Sequence, residues 1–206
     1  MGVCASTEDL GDTADVHADS SDDDDFDSIG FVNRDPEKEI SERKSRLRQS
    51  FMIESKKNPG MFGGMSMDDY EDKAHSLKEE GKFTECGPMF EKLLSFILTY
   101  DKDIDTVATA YTDCGDCLME GPEPDLEKAC AYYEKACDFE KSKYGPQSMQ
   151  LATACAALAV CLNKKGDKQG ALTNYRAQLV ILTQELGGDH PLTEMAQQNV
   201  TTMSIN

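Results

Sequence analysis

In the last 140 residues, a small residue followed by an aromatic residue at helical spacing occurs three times, at nearly equal intervals along the chain. Three small residues, separated by 43 and then 42 positions, are each followed four positions later by an aromatic residue: Cys86 by Phe90, Ala129 by Tyr133, and Ala171 by Tyr175. Residues four apart lie on one face of an α-helix. Each pair therefore predicts a helix whose small residue admits a neighbouring helix and whose aromatic ring fills the space beside it.

Each repeating unit is long enough for two helices, and glycines mark the turn between them. Gly81 in the first unit and Gly166 in the third stand at this turn, while Gly121–Asp125 lengthens it in the second. A further short segment at 192–203 predicts one more helix, which would cap the stack. The sequence therefore predicts an all-α fold of about three helix pairs plus a capping helix, with no strand.

This pattern resembles the tetratricopeptide repeat over residues 67–206, and its period near 42 is most similar to the repeats of kinesin light chain. The resemblance implies a superhelical stack that binds a peptide or an amphipathic helix of a partner protein in a groove lined by the first helices. The asparagines of kinesin-light-chain repeats are absent, since the third unit has small residues at 153–159. An amphipathic helix suits such a surface better than an extended polar peptide.

The register of the resemblance assigns side chains to this groove. The predicted groove residues are Asp68, Glu71, His75 and Lys78 in the first unit, Thr109, Thr112, Asp116 and Met119 in the second, and Thr153, Ala156, Val160 and Asn163 in the third. An alternative is that this face packs against the chain's own N-terminal helix or against a second copy.

The first six residues, Met1-Gly2-Val3-Cys4-Ala5-Ser6, fit the pattern for N-myristoylation at Gly2. One myristoyl chain binds membranes only marginally, with a constant on the order of 10⁴ M⁻¹, so stable anchoring needs a second signal. Cys4 lies close enough to Gly2 to be palmitoylated, and the palmitoyl chain would be this second signal. Paired acylation also resembles signals on proteins of ciliary and flagellar membranes. We therefore expect a cytoplasmic protein held on a membrane by lipid, with a cilium or flagellum as a candidate location.

Charge is distributed unevenly. Residues 1–36 carry eleven acidic residues and one basic residue, whereas 37–58 carry a net charge of +3 and the whole chain −18. The first segment predicts a disordered acidic tail, in which Ser20 and Ser21 precede four aspartates and are candidates for acidophilic kinases. A chain this acidic is a poor ligand for nucleic acid, because binding depends on cations that neutralise phosphates.

A short basic helix is predicted at 37–57, with apolar positions at Ile40, Leu47 and Phe51. It could contact a membrane surface, bind a calmodulin-like protein, or pack on the repeats or the acidic tail. The segment 58–64 contains Asn-Pro-Gly and Gly-Gly and predicts a linker. The predicted organisation is a tail at 1–36, a basic helix with linker at 37–66, and a repeat domain at 67–206.

Candidate chemistry is sparse. Cys114-x-x-Cys117, with Cys130 and Cys137, could form a zinc site, but their spacing matches no familiar zinc motif, and buried cysteines commonly serve as small apolar residues. His17, His75 and His190 stand in no recognisable relation to a nucleophile or a carboxylate pair. We therefore expect no enzyme activity, no cofactor, no metal and no small-molecule substrate.

Together these patterns predict an adaptor tethered to a cytoplasmic membrane leaflet that recruits a partner protein through its repeats. The alternative is a structural subunit of a cytoskeletal, axonemal or ciliary assembly. A third and weaker alternative is a metal or redox protein based on its cysteines.

Overall fold

The computed structural model describes residues 35–205, and helices account for most of them. In chain order the helices are α1 (Pro36–Lys57), α2 (Pro59–Phe62), α3 (Met67–Glu79), α4 (Phe83–Tyr100), α5 (Thr106–Glu120), α6 (Leu126–Tyr144), α7 (Met149–Lys165), α8 (Lys168–Leu186) and α9 (Pro191–Ile205). No β-strand occurs among the described residues. The predicted all-α class is confirmed.

The repeats form a stack in which each helix packs on the next. From α3 onward, every helix contacts its successor in the chain, and α9 rests on α8. The helix pairs are α3 with α4, α5 with α6, and α7 with α8, so the predicted three pairs with a capping helix are confirmed. The first helices α5 and α7 also touch one another.

The repeated small and aromatic residues hold each pair together. Ala129 and Tyr133 on α6 are fully buried, and the Tyr133 ring lies directly over Gly115 of α5. A Cβ placed on Gly115 would come within 2.8 Å of the ring carbon Cζ, so a glycine is required for this close approach.

The tight turns between paired helices use residues with positive φ. Gly166 ends α7 at φ 93°, and its amide donates to the carbonyls of Leu162 and Asn163. Gly81 has φ 74° after α3. L-residues with a side chain rarely adopt this conformation, which explains glycine at both turns.

α1 and α2 pack on the N-terminal end of the stack, against α3 and α4. Their contact is an aromatic cluster of Phe51, Phe62, Tyr70 and Phe96, with the Phe51 and Phe62 ring centroids 4.1 Å apart. Leu47 and Phe51 are buried as predicted, but Ile40 is 37% exposed.

The segment 58–64, predicted as a linker, contains a short helix. α1 does end before Asn58, but Pro59 then starts the one-turn helix α2, since proline is well suited to the first position of a helix. This turn directs Phe62 into the aromatic cluster, where it is fully buried. The division of the chain at 36/37 and 66/67 stays a prediction.

The basic side chains of α1 form ion pairs with the repeats. Arg43 pairs with Asp101 at the end of α4, and Arg48 Nε lies 2.8 Å from Asp68 Oδ1 of α3. The Arg43 side-chain hydrogen bond outweighs burial and lowers the pKa of Asp101. Of the alternatives for this helix, the structure shows packing on the repeat domain.

Residues 1–34 of the predicted acidic tail, with Gly2, Cys4, Ser20 and Ser21, lie outside the described residues, whereas Asp35 and Pro36 form the start of α1. Among the helices of the described range, none combines the length and the apolar character that crossing a bilayer requires.

Candidate partner-binding groove

A groove of about 320 Å³ opens between α5 and α7, the first helices of the second and third units. It is lined by Ala108, Thr109, Thr112, Glu140, Gln150, Thr153, Ala154 and Ala157. Thr112 Oγ1 donates to the Ala108 carbonyl at 3.0 Å, and Thr153 Oγ1 donates to the Met149 carbonyl at 3.2 Å. These hydroxyls are used within their own helices, so the walls are formed largely of small and methyl-bearing side chains.

Glu140 of α6 closes this groove with a carboxylate. The residue is only 8% exposed, and its Oε2 atom has no hydrogen-bond partner among the described residues. Burial raises the pKa of Glu140, Lys143 opposes this shift, and Asp105 adds to it. A buried carboxylate oxygen without a donor is costly, and a cation or amide from a bound partner would relieve that cost.

A second cluster of charges joins α3 to α5. Lys78 Nζ lies 2.8 Å from Asp113 Oδ1 and also pairs with Asp116, which accepts a hydrogen bond from Tyr133. Burial alone would lower the pKa of Lys78, but the hydrogen bonds to both aspartates outweigh it and raise this pKa. His75 Nε2 approaches Asp113 Oδ2 at 3.4 Å.

The predicted groove residues therefore have different surroundings. His75, Lys78 and Asp116 come together in the charge cluster, and Thr109, Thr112 and Thr153 line the α5–α7 groove with the unpredicted Ala157. On α7, Val160 and Asn163 are exposed and Ala156 is half-buried.

Three predicted groove residues lie elsewhere. Met119 is buried in the core, in one cluster with Ala129, Tyr133, Leu158 and Leu162. Glu71 and Asp68 line a cleft beside Lys44 and Arg48 of α1, so α1 covers this end of the stack. This agrees with the alternative that part of the face packs on the chain's own N-terminal helix.

Sequence reasoning also missed two buried acidic residues, Asp113 and Glu140. Asp113 lies three positions from the predicted Asp116, which is one helical turn, so it could have been found. Glu140 belongs to a second helix, and the prediction assigned the groove to first helices alone.

The candidate zinc cysteines do not converge. Cys117 contacts Cys86 and Cys130 contacts Cys161, in each case thiol to thiol. Over the described range, no group of three or more metal-ligating side chains is assembled.

We expect Lys78→Met to lower the free energy of unfolding by about 2 to 3 kcal/mol, because it leaves Asp113 buried without its cation. This loss is at or below the low end of the range for breaking a buried ion pair, because the Lys78 side chain is 25% exposed. Chemical denaturation measures it. Lys73→Met, at an exposed position of the same helix, is the control and should change stability by less than about 0.5 kcal/mol. Equal effects of the two variants would contradict a stabilising role for the cluster.

Comparison with known proteins supports the fold. No protein-family model matches the chain, and no curated protein matches it in sequence. Among solved structures, the chain is similar to BtubC (BKLC) from P. vanneervenii, with a TM-score of 0.58 and 16% sequence identity. The similarity covers 82% of this chain and 65% of that one, so this chain spans less than two thirds of the length of its structural neighbour. At this identity the likeness shows a tetratricopeptide-like helical-repeat fold.

Proposed function

We propose that this protein is an adaptor that binds a partner protein in the α5–α7 groove and is held at a cytoplasmic membrane leaflet by acyl chains on Gly2 and Cys4. The observation that carries the partner-binding part is the buried Glu140 carboxylate, which lines this groove and whose Oε2 has no hydrogen-bond donor within residues 35–205. Helical-repeat scaffolds commonly present such extended surfaces to other proteins.

The groove also favours a particular partner chemistry. Apart from Gln150, its walls are alanines and threonines, and Glu140 adds an anion to the lining. This combination suits the aliphatic stem and charged end of a lysine or arginine. The flanking cluster of Lys78, Asp113 and Asp116 has two acids for one lysine, which adds negative potential nearby. The partner we propose is an amphipathic helix or peptide that inserts one basic side chain between α5 and α7.

The proposal predicts that Glu140→Gln weakens partner binding by about tenfold or more, because a charge-assisted hydrogen bond contributes roughly 1.5 to 3 kcal/mol. The experiment is quantitative affinity capture from cells of the native source with full-length wild type, Glu140→Gln and Glu134→Gln. Glu134 is exposed on the same helix and lines a different surface, so its variant should capture the wild-type set. A partner set that survives Glu140→Gln undiminished would rule out the proposed contact.

Glu140→Gln should also stabilise the free protein. The sign of this change in stability distinguishes a role of Glu140 in binding from a role in holding the fold together. A folded-state pKa raised above the unfolded value means that ionised Glu140 destabilises the fold at neutral pH, and that protonation removes this cost as the pH falls through the folded pKa. Glu140→Gln should therefore raise the free energy of unfolding by about 1 kcal/mol at neutral pH. This advantage should fade as the pH approaches the unfolded value, 4.5. A loss of stability at neutral pH would instead assign Glu140 a structural role.

A further inference from the structure

The space between the second helices α4 and α6 is filled by side chains of α6. Lys128 Nζ lies 2.6 Å from Glu91 Oε1 of α4, which joins the two helices directly. Tyr132 packs against the core cluster that contains Phe90 of α4, and the Lys135 ammonium lies 5.7 Å from the Tyr132 ring centroid. The groove left between these helices has a volume of about 250 Å³.

One unit later, the matching positions carry much smaller side chains. The small and aromatic residues of α6 recur on α8 after 42 positions, and the same interval relates the other residues of the two helices. The counterparts are Gly170 for Lys128, Asn174 for Tyr132 and Ala177 for Lys135. At these positions α8 therefore lacks the two lysine chains and the aromatic ring that α6 places between itself and α4.

A wider groove lies between α6 and α8, with a volume of about 750 Å³. Asn174 and Ala177 are among its lining residues, so the short side chains at these positions leave the space open. Its apolar lining includes Leu151 of α7 and Ile181 of α8. Val180 also lines it and is 55% exposed. Aliphatic surface that the second unit covers with its own side chains is therefore open to solvent here.

We propose that the α6–α8 groove binds an amphipathic helix of a partner protein, which supplies an aromatic side chain to the space that Tyr132 fills between α4 and α6. A helix binds such a groove through side chains spaced three, four and seven positions apart on one face. The groove is formed by second helices with α7 beneath them, apart from the α5–α7 groove, so this proposal does not depend on the proposed function.

The rings of the second unit show what the partner's aromatic side chain can contact. The ring centroids of Tyr111 and Tyr132 lie 6.1 Å apart, and the Lys135 ammonium lies 5.7 Å from each. In the α6–α8 groove, a partner's ring can pack on Ile181, and the Arg176 guanidinium can take the part of Lys135 beside the ring. An aromatic side chain buries about 150 to 250 Å², so a single one can cover much of this surface.

The charges on the two walls orient the partner. Of the described lining residues on α8, Arg176 is the only charged one, whereas the α6 wall has Glu134, Asp138 and Lys141. The α6 wall therefore carries a net charge of −1 and repels acidic side chains, which can pair with Arg176 on the opposite wall instead. The partner helix should carry an acidic residue one turn from its aromatic residue.

The test pans a phage library of amphipathic helical peptides, randomised on one face, against full-length wild-type protein. Fluorescence anisotropy then measures the affinity of each selected peptide. We expect peptides with an aromatic residue and an acidic residue three or four positions apart. Asn174→Tyr and Ala177→Lys restore the residues of the second unit, so each should fill the groove and weaken binding about tenfold or more. Arg176→Glu should weaken it about fivefold, as the loss of an exposed ion pair implies.

Thr173→Tyr is the matched control for these variants. It adds the same ring as Asn174→Tyr, but at an exposed position of α8 outside the groove lining, and should leave the affinities within about twofold of wild type. Ala177 is exposed, so Ala177→Lys keeps the test decisive if Asn174→Tyr does not fold. Circular dichroism of each variant checks that the helices are intact.

Three results would overturn the proposal. They are a library that yields no peptide weakened by Asn174→Tyr or Ala177→Lys, weakened peptides that lack an aromatic residue, and equal losses with Thr173→Tyr and Asn174→Tyr. Sedimentation velocity of the wild type tests a different occupant. Self-association that Asn174→Tyr or Ala177→Lys abolishes would assign the groove to a second copy of the chain, against a partner helix.

Discussion

Phe51→Ala is expected to lower the free energy of unfolding by about 4 kcal/mol, within the usual range for removing a buried phenylalanine. The Phe51 side chain is fully buried. Its ring centroid lies 4.1 Å from that of Phe62, 5.0 Å from Phe96 and 5.8 Å from Tyr70. Truncation removes the central ring of the cluster that fixes α1 and α2 to α3 and α4. The remaining rings belong to different helices, so they cannot refill the cavity without moving a helix.

Urea denaturation of full-length protein measures this effect, and Ile53→Ala is the matched control. Ile53 is on the same helix but is 50% exposed, so its variant should change stability by less than about 0.5 kcal/mol. Two outcomes would show whether α1 unfolds together with the repeats. If Phe51→Ala costs less than about 1 kcal/mol, α1 is not part of the cooperative fold. If it exposes α1 to proteolysis while the repeats stay folded, α1 is a separately unfolding unit.

The docking of α1 also bears on the groove. Lys44 and Arg48 of α1 form one wall of the cleft that Asp68 and Glu71 also line, and Arg48 pairs with Asp68. The first-helix surface open to a partner therefore begins at the charge cluster of α3 and α5. A partner segment that extended past His75 towards the start of α3 would have to displace α1. Loss of α1 by Phe51→Ala would therefore lengthen the accessible surface.

The repeat architecture could be predicted from the sequence because one packing solution is used three times. A small residue followed four positions later by an aromatic ring packs closely against a neighbouring helix. Both residues and that helix belong to the same repeat unit, so the contact can be predicted within each unit. Cys86, Ala129 and Ala171 are all fully buried, as the pattern requires. Gly81 and Gly166 could be placed for a similar reason, since positive φ at the turn excludes most other residues.

The candidate site was less predictable because it depends on relations between units. The prediction followed the first helices at helical spacing, and it included Met119, which the neighbouring helices bury in the core. Glu140 could not be found by that route, since it enters the groove from α6. Its importance comes from burial without a donor, which a sequence pattern does not reveal.

The cysteine pairs could be predicted only in part from the sequence. Cys86 precedes Cys117 by 31 residues, and Cys130 precedes Cys161 by the same interval. Within a helical repeat, a recurring interval between cysteines is a sign that the two lie side by side on adjacent helices.

The membrane tether is the remaining part of the proposed function, and Gly2→Ala should abolish it. Myristoyl transfer requires an N-terminal glycine after removal of Met1, so this variant loses the first acyl chain and never reaches the membrane for palmitoylation. Cys4→Ser keeps the myristoyl chain but loses the second, and a single chain binds only with a constant on the order of 10⁴ M⁻¹. The acidic residues that follow cannot compensate, because they are repelled by an anionic leaflet.

The measurement is intact mass and membrane fractionation of the full-length protein in cells of the native source. Wild type should carry both acyl chains and sediment with membranes, and both variants should move to the soluble fraction. Ser20→Ala leaves the first six residues unchanged, so it is the control and should fractionate as wild type does. An unmodified N-terminus, with all four proteins fractionating alike, would remove the tether from the proposal. The groove with Glu140 would then belong to a repeat protein that meets its partner elsewhere, such as a subunit of a cytoskeletal assembly.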